Sequence, residues 1–548
     1  MKKIASILVR SALAGCLLCL ALGGCAPAAP EQDGSPAGDS RADATPTLSR
    51  QPQGLESSDG MSGKGSSSSF MGTPPYEEPS VPYNTEEYAA MRENGFLSVA
   101  ANPFSTFSVD VDTASYCNLR RMLSSGTKLN DIPKGAVRIE EMLNYFRYDY
   151  RAPKDAEPFG VTPCISTCPW NPDTKLLVLG LSTEPKEYAQ MHGNNLVFLI
   201  DSSGSMEDPE KMPLLKESMG ELVAKLNDDD TVSIVTYAGS ERVVLEGAQA
   251  RERERIMQAV RELDADGSTN GQAGLAKAYE LARAHFIEGG NNRIILASDG
   301  DLNVGITSQS ELSDYVSQQR KSGVYLSVLG FGQGNYKDTK MESIADDGNG
   351  NYSYIDSIQE AKRVFGEDLC ATMRTVADDV KLQVEFNPAY VKGYRLVGYE
   401  NRSLDAEDFK NDKVDAGEVG SGHAVTVAYE IVTADSPMQL PEIDSKYGGG
   451  EHKGEKNGEW MTLSVRYKNP GENDSKQLSY GIGDADVTDH PSDNWKFASA
   501  VIEFGMVATK SEHAGTASFD GAIALMDQMG ALDDRQREFK KLVSIASL

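Results

Sequence analysis

Apolar runs alternate with longer amphipathic stretches between residues 193 and 370, and this alternation constrains the fold more than any other feature of the 548-residue chain. Continuous apolar runs such as 196–200 are typical of strands buried on both faces. The stretch 210–226 carries apolar residues at helical spacing, and similar stretches follow the later runs. Repeated strand–helix units of this kind predict an α/β domain, placed at 191–372, with a mostly parallel sheet and helices on both faces.

Different periodicities flank this domain. Around Leu382 apolar residues recur at every second position, which predicts half-buried antiparallel strands and a β-sandwich-like region over 373–490. Helical spacing returns over 491–548 and predicts a C-terminal helical region. Strands and helices are also expected over 86–190. This region either stands apart or adds its strands to the later sheet, in which case the α/β domain is an insertion.

Residues 1–25 have the pattern of a lipoprotein signal peptide. Two lysines precede an apolar stretch at 11–22 that is too short to span a bilayer. It ends in Leu22-Gly23-Gly24-Cys25, which is similar to a bacterial lipobox, where the cysteine is lipidated; a plain cleaved signal peptide is the alternative. Residues 26–85 are rich in Pro, Ser, Gly and Ala and predict a disordered tether. We therefore expect a protein of the cell envelope, lipid-anchored at Cys25 on the extracytoplasmic side of a membrane.

The overall charge limits the range of partners. The chain has 82 acidic and 53 basic residues, a formal net charge of −29. Such a surface repels nucleic acid and anionic lipid head groups, so we expect no nucleic-acid partner.

Four cysteines lie beyond the signal peptide, at Cys117, Cys164, Cys168 and Cys370. An oxidising compartment would allow one or two disulfides among them, with connectivity left open. Cys164 and Cys168 lie on a strand-like stretch, where four residues span roughly 13 Å. They can pair with each other only if a turn intervenes.

Oxygen-bearing side chains follow the predicted strands of the α/β domain. The run 196–200 leads into Asp201-Ser202-Ser203-Gly204-Ser205, and two later loops carry Asp266-Gly267-Ser268-Thr269-Asn270 and Ser298-Asp299-Gly300-Asp301. The ends of parallel strands meet at one edge of a sheet, where α/β proteins place their ligands. Hard divalent cations such as Mg²⁺ prefer oxygen ligands of this kind. The sequence therefore predicts a metal site at this edge.

This arrangement resembles the von Willebrand factor type A (vWA) family, which has a Rossmann-like fold and a metal-ion-dependent adhesion site. The matching positions are Asp201, Ser203, Ser205, Thr269 and Asp299. The resemblance implies that Ser203, Ser205 and sometimes Thr269 bind the ion directly, while Asp201 and Asp299 act largely through water. It also implies an open coordination position that accepts an acidic residue of a partner protein. Mg²⁺ is the expected ion, with Mn²⁺ and Ca²⁺ as alternatives.

Further segments look like a group of bacterial vWA lipoproteins, and this resemblance covers the chain from about residue 88 to its end. The segments are 104–116, 138–146, 168–171 and 539–543.

Three weaker patterns have both a ligand-binding and a structural interpretation. Asp110-x-Asp112-x-x-Ser115 fits a cation site, but a polar strand edge or the start of a capped helix is favoured. The segment 346–350 fits a calcium loop, but a turn is favoured. Gly330-x-Gly332-x-Gly334 follows a strand without the full nucleotide-binding spacing, which favours a glycine turn.

No nucleophile–base pattern, zinc spacing or phosphate-binding loop occurs in the sequence, so we expect no enzyme. The first hypothesis is a lipid-anchored binding protein that docks an acidic residue of an unidentified protein partner through its metal ion. The alternative is an envelope enzyme or assembly subunit that uses the vWA domain to recruit a substrate. A purely structural role ranks third.

Overall fold

The computed structural model describes residues 85–155, 157–188, 193–238, 240–265, 272–300, 308–334, 336–440 and 454–548. Cys25, the tether up to residue 84 and Thr269 lie outside these ranges. Among the described residues, no helix combines the length and the apolar character needed to cross a membrane.

The N-terminal part of the described chain contains both strands and helices. Its elements are β1 (Leu97–Ser98), β2 (Phe104–Ser108), α1 (Ala114–Ser124), α2 (Ile139–Tyr145), β3 (Gly160–Thr167) and β4 (Lys175–Ser182).

The α/β domain follows β4. Its elements are β5 (Asn194–Asp201), α3 (Met212–Lys225), β6 (Thr231–Tyr237), β7 (Glu241–Gln249), α4 (Arg253–Arg261), α5 (Gln272–Ala284), β8 (Asn291–Ser298), α6 (Gln309–Gln319), β9 (Tyr325–Phe331), α7 (Asp338–Asp347), β10 (Tyr352–Ile355), α8 (Ile358–Lys362) and α9 (Leu369–Met373). Its six strands are ordered β10-β9-β8-β5-β6-β7, with β7 antiparallel to β6 and the other neighbours parallel. The predicted mostly parallel α/β sheet is confirmed.

The last predicted helix of this domain, over 357–370, is not one continuous helix. A π-helical turn at Arg363–Glu367 separates α8 from α9. The Arg363 guanidinium donates to Glu360 at 2.6 Å and to Thr113 at 2.8 Å, and it lies 4.5 Å from the centre of the Tyr145 ring. The π-helical turn thus occurs where the first residue of the turn, Arg363, packs against the N-terminal part of the chain.

Strands and then helices complete the chain. They are β11 (Thr375–Phe386), β12 (Val391–Val397), β13 (Ser403–Leu404), β14 (Gly417–Gly420), β15 (Ala424–Thr433), β16 (Glu459–Lys468), β17 (Ser475–Gly483), α10 (Asp493–Thr509), α11 (Phe519–Asp527) and α12 (Asp534–Ala546).

Two antiparallel sheets combine strands from before and after the α/β domain. One has the order β1-β12-β15-β4-β3 and the other β13-β2-β11-β16-β17. Their inward side chains form one core, which includes Leu179 of β4, Tyr429 of β15 and Val384 of β11. The α/β domain is therefore inserted between β4 and β11. The boundaries 86–190 and 373–490 remain sequence predictions, because strands from both ranges share these sheets.

The predicted C-terminal helical segment is confirmed, and its helices pack against the N-terminal helices. Phe146, which follows α2, lies 4.8 Å from Phe497 of α10 and 5.4 Å from Phe539 of α12, measured between ring centroids. Trp495 of α10 donates its indole N–H to the carbonyl of Leu176 in β4 at 3.1 Å. These contacts connect α10 and α12 to α2 and to the sandwich.

All three weaker patterns have structural contacts. The segment 346–350 contains the end of α7 and the turn after it, where the Gly348 N–H donates to the carbonyl of Ile344 at 3.1 Å. Asp110 accepts from the Arg402 Nε at 3.0 Å, and Asp112 accepts from the backbone N–H of Tyr352 at 2.8 Å, so both buried carboxylates have protein partners. Gly332 and Gly334 have positive φ angles of 72° and 97°, as glycine turns require.

The four cysteines in the described residues are free thiols, so the structure contains none of the disulfides that the sequence allowed. Cys117 lies in α1, Cys164 in β3 and Cys370 in α9. Cys168 follows the end of β3, and its N–H donates to the carbonyl of Thr174. For Cys164 and Cys168 the reason is geometric, because the extended strand β3 separates these two residues.

Candidate metal centre

Asp201 lies at the C-terminal end of β5, a strand whose eight residues are all buried. Its carboxylate accepts from the backbone N–H of Ser203 at 2.9 Å, and from the hydroxyls of Ser298 at 3.2 Å and Tyr237 at 3.4 Å. Three neighbouring strands thus fix its orientation.

Burial raises the pKa of Asp201 to about 6, and its hydrogen bonds with Ser203 oppose this rise. A carboxylate removed from water in this way gains from a nearby cation.

Two of the three serines in the loop, Ser203 and Ser205, bring their hydroxyls together. The hydroxyl oxygens of Ser203 and Ser205 lie 3.0 Å apart, and Ser203 is buried while Ser205 is exposed. A short 3₁₀ helix at Gly204–Glu207 and the buried side chain of Met206 hold this part of the loop against the domain. The site therefore has one hydroxyl on the protein side and one at the surface.

Asp299 follows β8 and is almost fully buried. Its Oδ2 accepts from the ammonium of Lys211 at 2.8 Å, and the same ammonium donates to the backbone carbonyl of Ser205 at 3.0 Å. One cationic group therefore contacts the loop after β5 and the loop after β8 together.

The structure thus brings together four of the five predicted positions, Asp201, Ser203, Ser205 and Asp299, while Thr269 lies outside the described residues. Their hydroxyl and carboxylate oxygens form a donor set that suits a hard divalent cation. The cationic contact of Lys211 with both loops shows that these loops are close enough to share one positive charge.

Sequence reasoning missed Lys211. The available signal was a single basic residue among acidic ones, in Glu207-Asp208-Pro209-Glu210-Lys211, directly after the serine loop and before α3. The residue that it pairs with is 88 positions away in the chain, so the pairing itself is not readable from local sequence.

Comparison with known proteins identifies the class. A family model described as von Willebrand factor type A domain matches residues 195–367, and one described as von Willebrand factor matches 82–178. A third, described as "Uncharacterized protein YfbK, C-terminal", matches 371–548. The fold and these matches define a vWA domain protein. Domains of this class typically mediate protein interactions and often bind a divalent metal ion.

The family follows from a relative that matches over most of its length. The chain is 39% identical over 472 residues to "Uncharacterized protein YfbK" of Escherichia coli K12, with 84% of this chain and 81% of that protein covered. The chain belongs to the YfbK family of vWA domain proteins.

Two more distant similarities cover larger parts of the chain than the vWA domain alone. The human inter-alpha-trypsin inhibitor heavy chain H3 is 24% identical over 271 residues, which is 46% of this chain and 30% of that protein. A solved structure of a von Willebrand factor type A protein from Catenulispora acidiphila is 18% identical, covers 73% of this chain and 91% of its own, and has a TM-score of 0.40.

Proposed function

We propose that this protein is a lipid-anchored, extracytoplasmic binding protein whose metal-ion-dependent adhesion site docks an acidic residue of a partner protein. The observation that carries the proposal is the convergence of Asp201, Ser203, Ser205 and Asp299 at one edge of the parallel sheet.

In this proposal Ser203 and Ser205 hold Mg²⁺ through their hydroxyls, with Thr269 as a further ligand. Asp201 and Asp299 orient these ligands and balance the charge of the ion. Neutral hydroxyl ligands leave the ion electron-poor, so a bound Mg²⁺ would supply an open coordination position for a carboxylate. Mn²⁺ and Ca²⁺ are the alternative ions.

Contacts between the vWA domain and the N-terminal helices favour a fixed orientation of the domain that carries this site. Glu360 of α8 accepts from Arg120 of α1 at 2.9 Å and from the Tyr145 hydroxyl at 2.9 Å, and it is fully buried. The final helical segment of the vWA domain is thus held by the N-terminal helices. A domain fixed in this way is suited to present a docking face.

Attachment and location come from the N-terminal sequence. Lipidation at Cys25 would hold the protein on the extracytoplasmic side of a membrane, and residues 26–85 would act as a tether. We propose binding rather than catalysis, since the described residues of the site supply ligand oxygens that suit a cation.

Crosslinked capture from native envelopes tests this function. Parent protein, Asp201→Ala and the control Glu207→Ala, which removes an exposed carboxylate from the same loop, are compared with and without chelator. Binding predicts one set of partners that chelator and Asp201→Ala both remove and that Glu207→Ala retains. An unchanged set contradicts the proposal. Hydrolysis of peptide or wall fragments that is lost with Asp201→Ala would instead support the enzyme alternative.

A further inference from the structure

Lys211 occupies a defined position inside the candidate metal centre. It is 8% exposed, and its ammonium lies 2.8 Å from Asp299 Oδ2 and 3.0 Å from the carbonyl oxygen of Ser205. Its methylene groups run along Gly332, because a Cβ placed on that glycine would lie 2.3 Å from Cε and 2.4 Å from Cγ of Lys211. The lysine is therefore held at both its stem and its charged end.

We propose that Lys211 is an internal cation of this site, and that its ammonium and a divalent metal ion are alternative partners of Asp299. This inference rests on the proposed function, because it concerns regulation of the same metal centre. Metal binding would require Lys211 to leave Asp299, so the lysine sets the metal concentration at which the docking site forms.

The competition follows from charge and geometry. A lysine ammonium is a compact point charge with three donors, and it already neutralises the Asp299 carboxylate that would balance the charge of a divalent cation. Two cations that share Asp299 and the Ser205 loop repel each other, and burial strengthens this repulsion. Without a metal ion, the ammonium stabilises the nearly buried Asp299 carboxylate through their 2.8 Å contact.

In this proposal Lys211 leaves Asp299 by rotation about the bonds of its own side chain. The residue directly precedes α3, and its stem lies against the glycine that follows β9. A four-carbon stem can swing its ammonium past Gly332 without unfolding α3. The displaced ammonium would remain at the rim of the site, where it favours an approaching acidic group.

Amine acylation of the unmodified protein tests the displacement directly. A limiting amount of an acylating reagent is applied in chelator and in Mg²⁺, and each lysine is quantified by peptide mass spectrometry. We expect labelling of Lys211 to rise severalfold in Mg²⁺, while labelling of the exposed Lys225 at the other end of α3 stays constant. Equal labelling of Lys211 under both conditions, at saturating Mg²⁺, overturns the inference. This readout does not depend on the folding of any variant.

Calorimetric titration with Mg²⁺ tests the competition. Lys211→Met removes the charge and keeps the apolar stem, and the control Lys225→Met removes the same charge from the far end of the helix. We expect Lys211→Met to bind Mg²⁺ about tenfold more tightly or better, with Lys225→Met equal to the parent. Equal affinity of parent and Lys211→Met overturns the inference and leaves the proposed function standing. Absence of binding in parent and both variants contradicts the proposed function itself.

Discussion

Arg138 and Asp338 form a buried ion pair between the N-terminal helices and the vWA domain. The Arg138 Nη1 lies 2.5 Å from Asp338 Oδ2, and the two side chains are 1% and 0% exposed. Asp338, the first residue of α7, also accepts from the hydroxyl of Tyr352 at 2.8 Å. An ion pair, as well as apolar packing, therefore connects the inserted vWA domain to the N-terminal helices.

We predict that Arg138→Met lowers the free energy of unfolding by about 3–5 kcal/mol, because it leaves Asp338 and Glu141 buried without their guanidinium partner. Chemical denaturation measures the change. The control is Arg147→Met, at an exposed ion pair with Glu367, where the expected loss is below about 1 kcal/mol. Equal losses for the two variants would contradict a special role for the buried pair.

Gly332 and Gly334 offer a matched test of whether the stem of Lys211 packs against Gly332. Both have positive φ, so alanine at either position costs about 1–2 kcal/mol of backbone strain. A Cβ at Gly334 meets no atom within 4 Å, whereas one at Gly332 overlaps the stem of Lys211. We therefore predict that Gly332→Ala destabilises the fold by about 1–3 kcal/mol more than Gly334→Ala. Thermal unfolding provides the measurement, and equal effects would show that Lys211 does not pack on Gly332.

Glu503 of α10 predicts a pH dependence of stability. Burial raises the pKa of Glu503 to about 7 from an ordinary value of 4.5, and the N–H of Ser518 donates to its carboxylate at 3.0 Å. The folded state therefore holds this proton more tightly than the unfolded chain does. The stabilising contribution is complete below pH 4.5 and is lost as the pH rises through about 7.

The Glu503→Gln variant removes this titration and keeps the shape of the side chain. We expect the difference in unfolding free energy between Glu503→Gln and parent to grow in favour of the variant from pH 4.5 to pH 7.5. Denaturation series at several pH values measure it. A difference that stays constant over this range would refute the raised pKa.

The free thiols predict a pattern of alkylation. Burial raises the pKa of the thiols of Cys117 and Cys168, and both residues are nearly inaccessible, whereas Cys164 and Cys370 are half-buried. In native protein without reductant, we expect Cys164 and Cys370 to be alkylated well before Cys117 and Cys168, with all four modified after unfolding. Peptide mass spectrometry distinguishes this result from a disulfide-linked peptide, which would contradict the structure.

The sequence predicted the parts of the structure that depend on local pattern. The buried strand β5 and the loop from Asp201 to Ser205 follow from one apolar run and the residues after it, and family resemblance added Asp299. The contacts that cross the chain were not predictable. Arg138 and Asp338 are 200 residues apart, and no periodicity in either segment indicates that they meet.

The same limit applies to the insertion of the vWA domain. Patterns of apolar residues predict that β4 and β15 are strands, but they do not say which strands are neighbours. Their pairing joins Leu179 to Val427 across the whole inserted domain. The alternative that the early strands join the later sheet was therefore open from sequence, and the structure decides it in favour of insertion.

Titration of Mg²⁺ into Ser203→Ala and Ser202→Ala tests the central claim most directly. These neighbouring serines differ in role, since the Ser202 hydroxyl donates to the carbonyl of Tyr237 while the Ser203 hydroxyl faces that of Ser205. The account predicts one bound Mg²⁺ per chain in the parent and in Ser202→Ala, with affinity at least about tenfold weaker in Ser203→Ala. Absence of saturable binding in the parent, or equal affinity in the two variants, would contradict it.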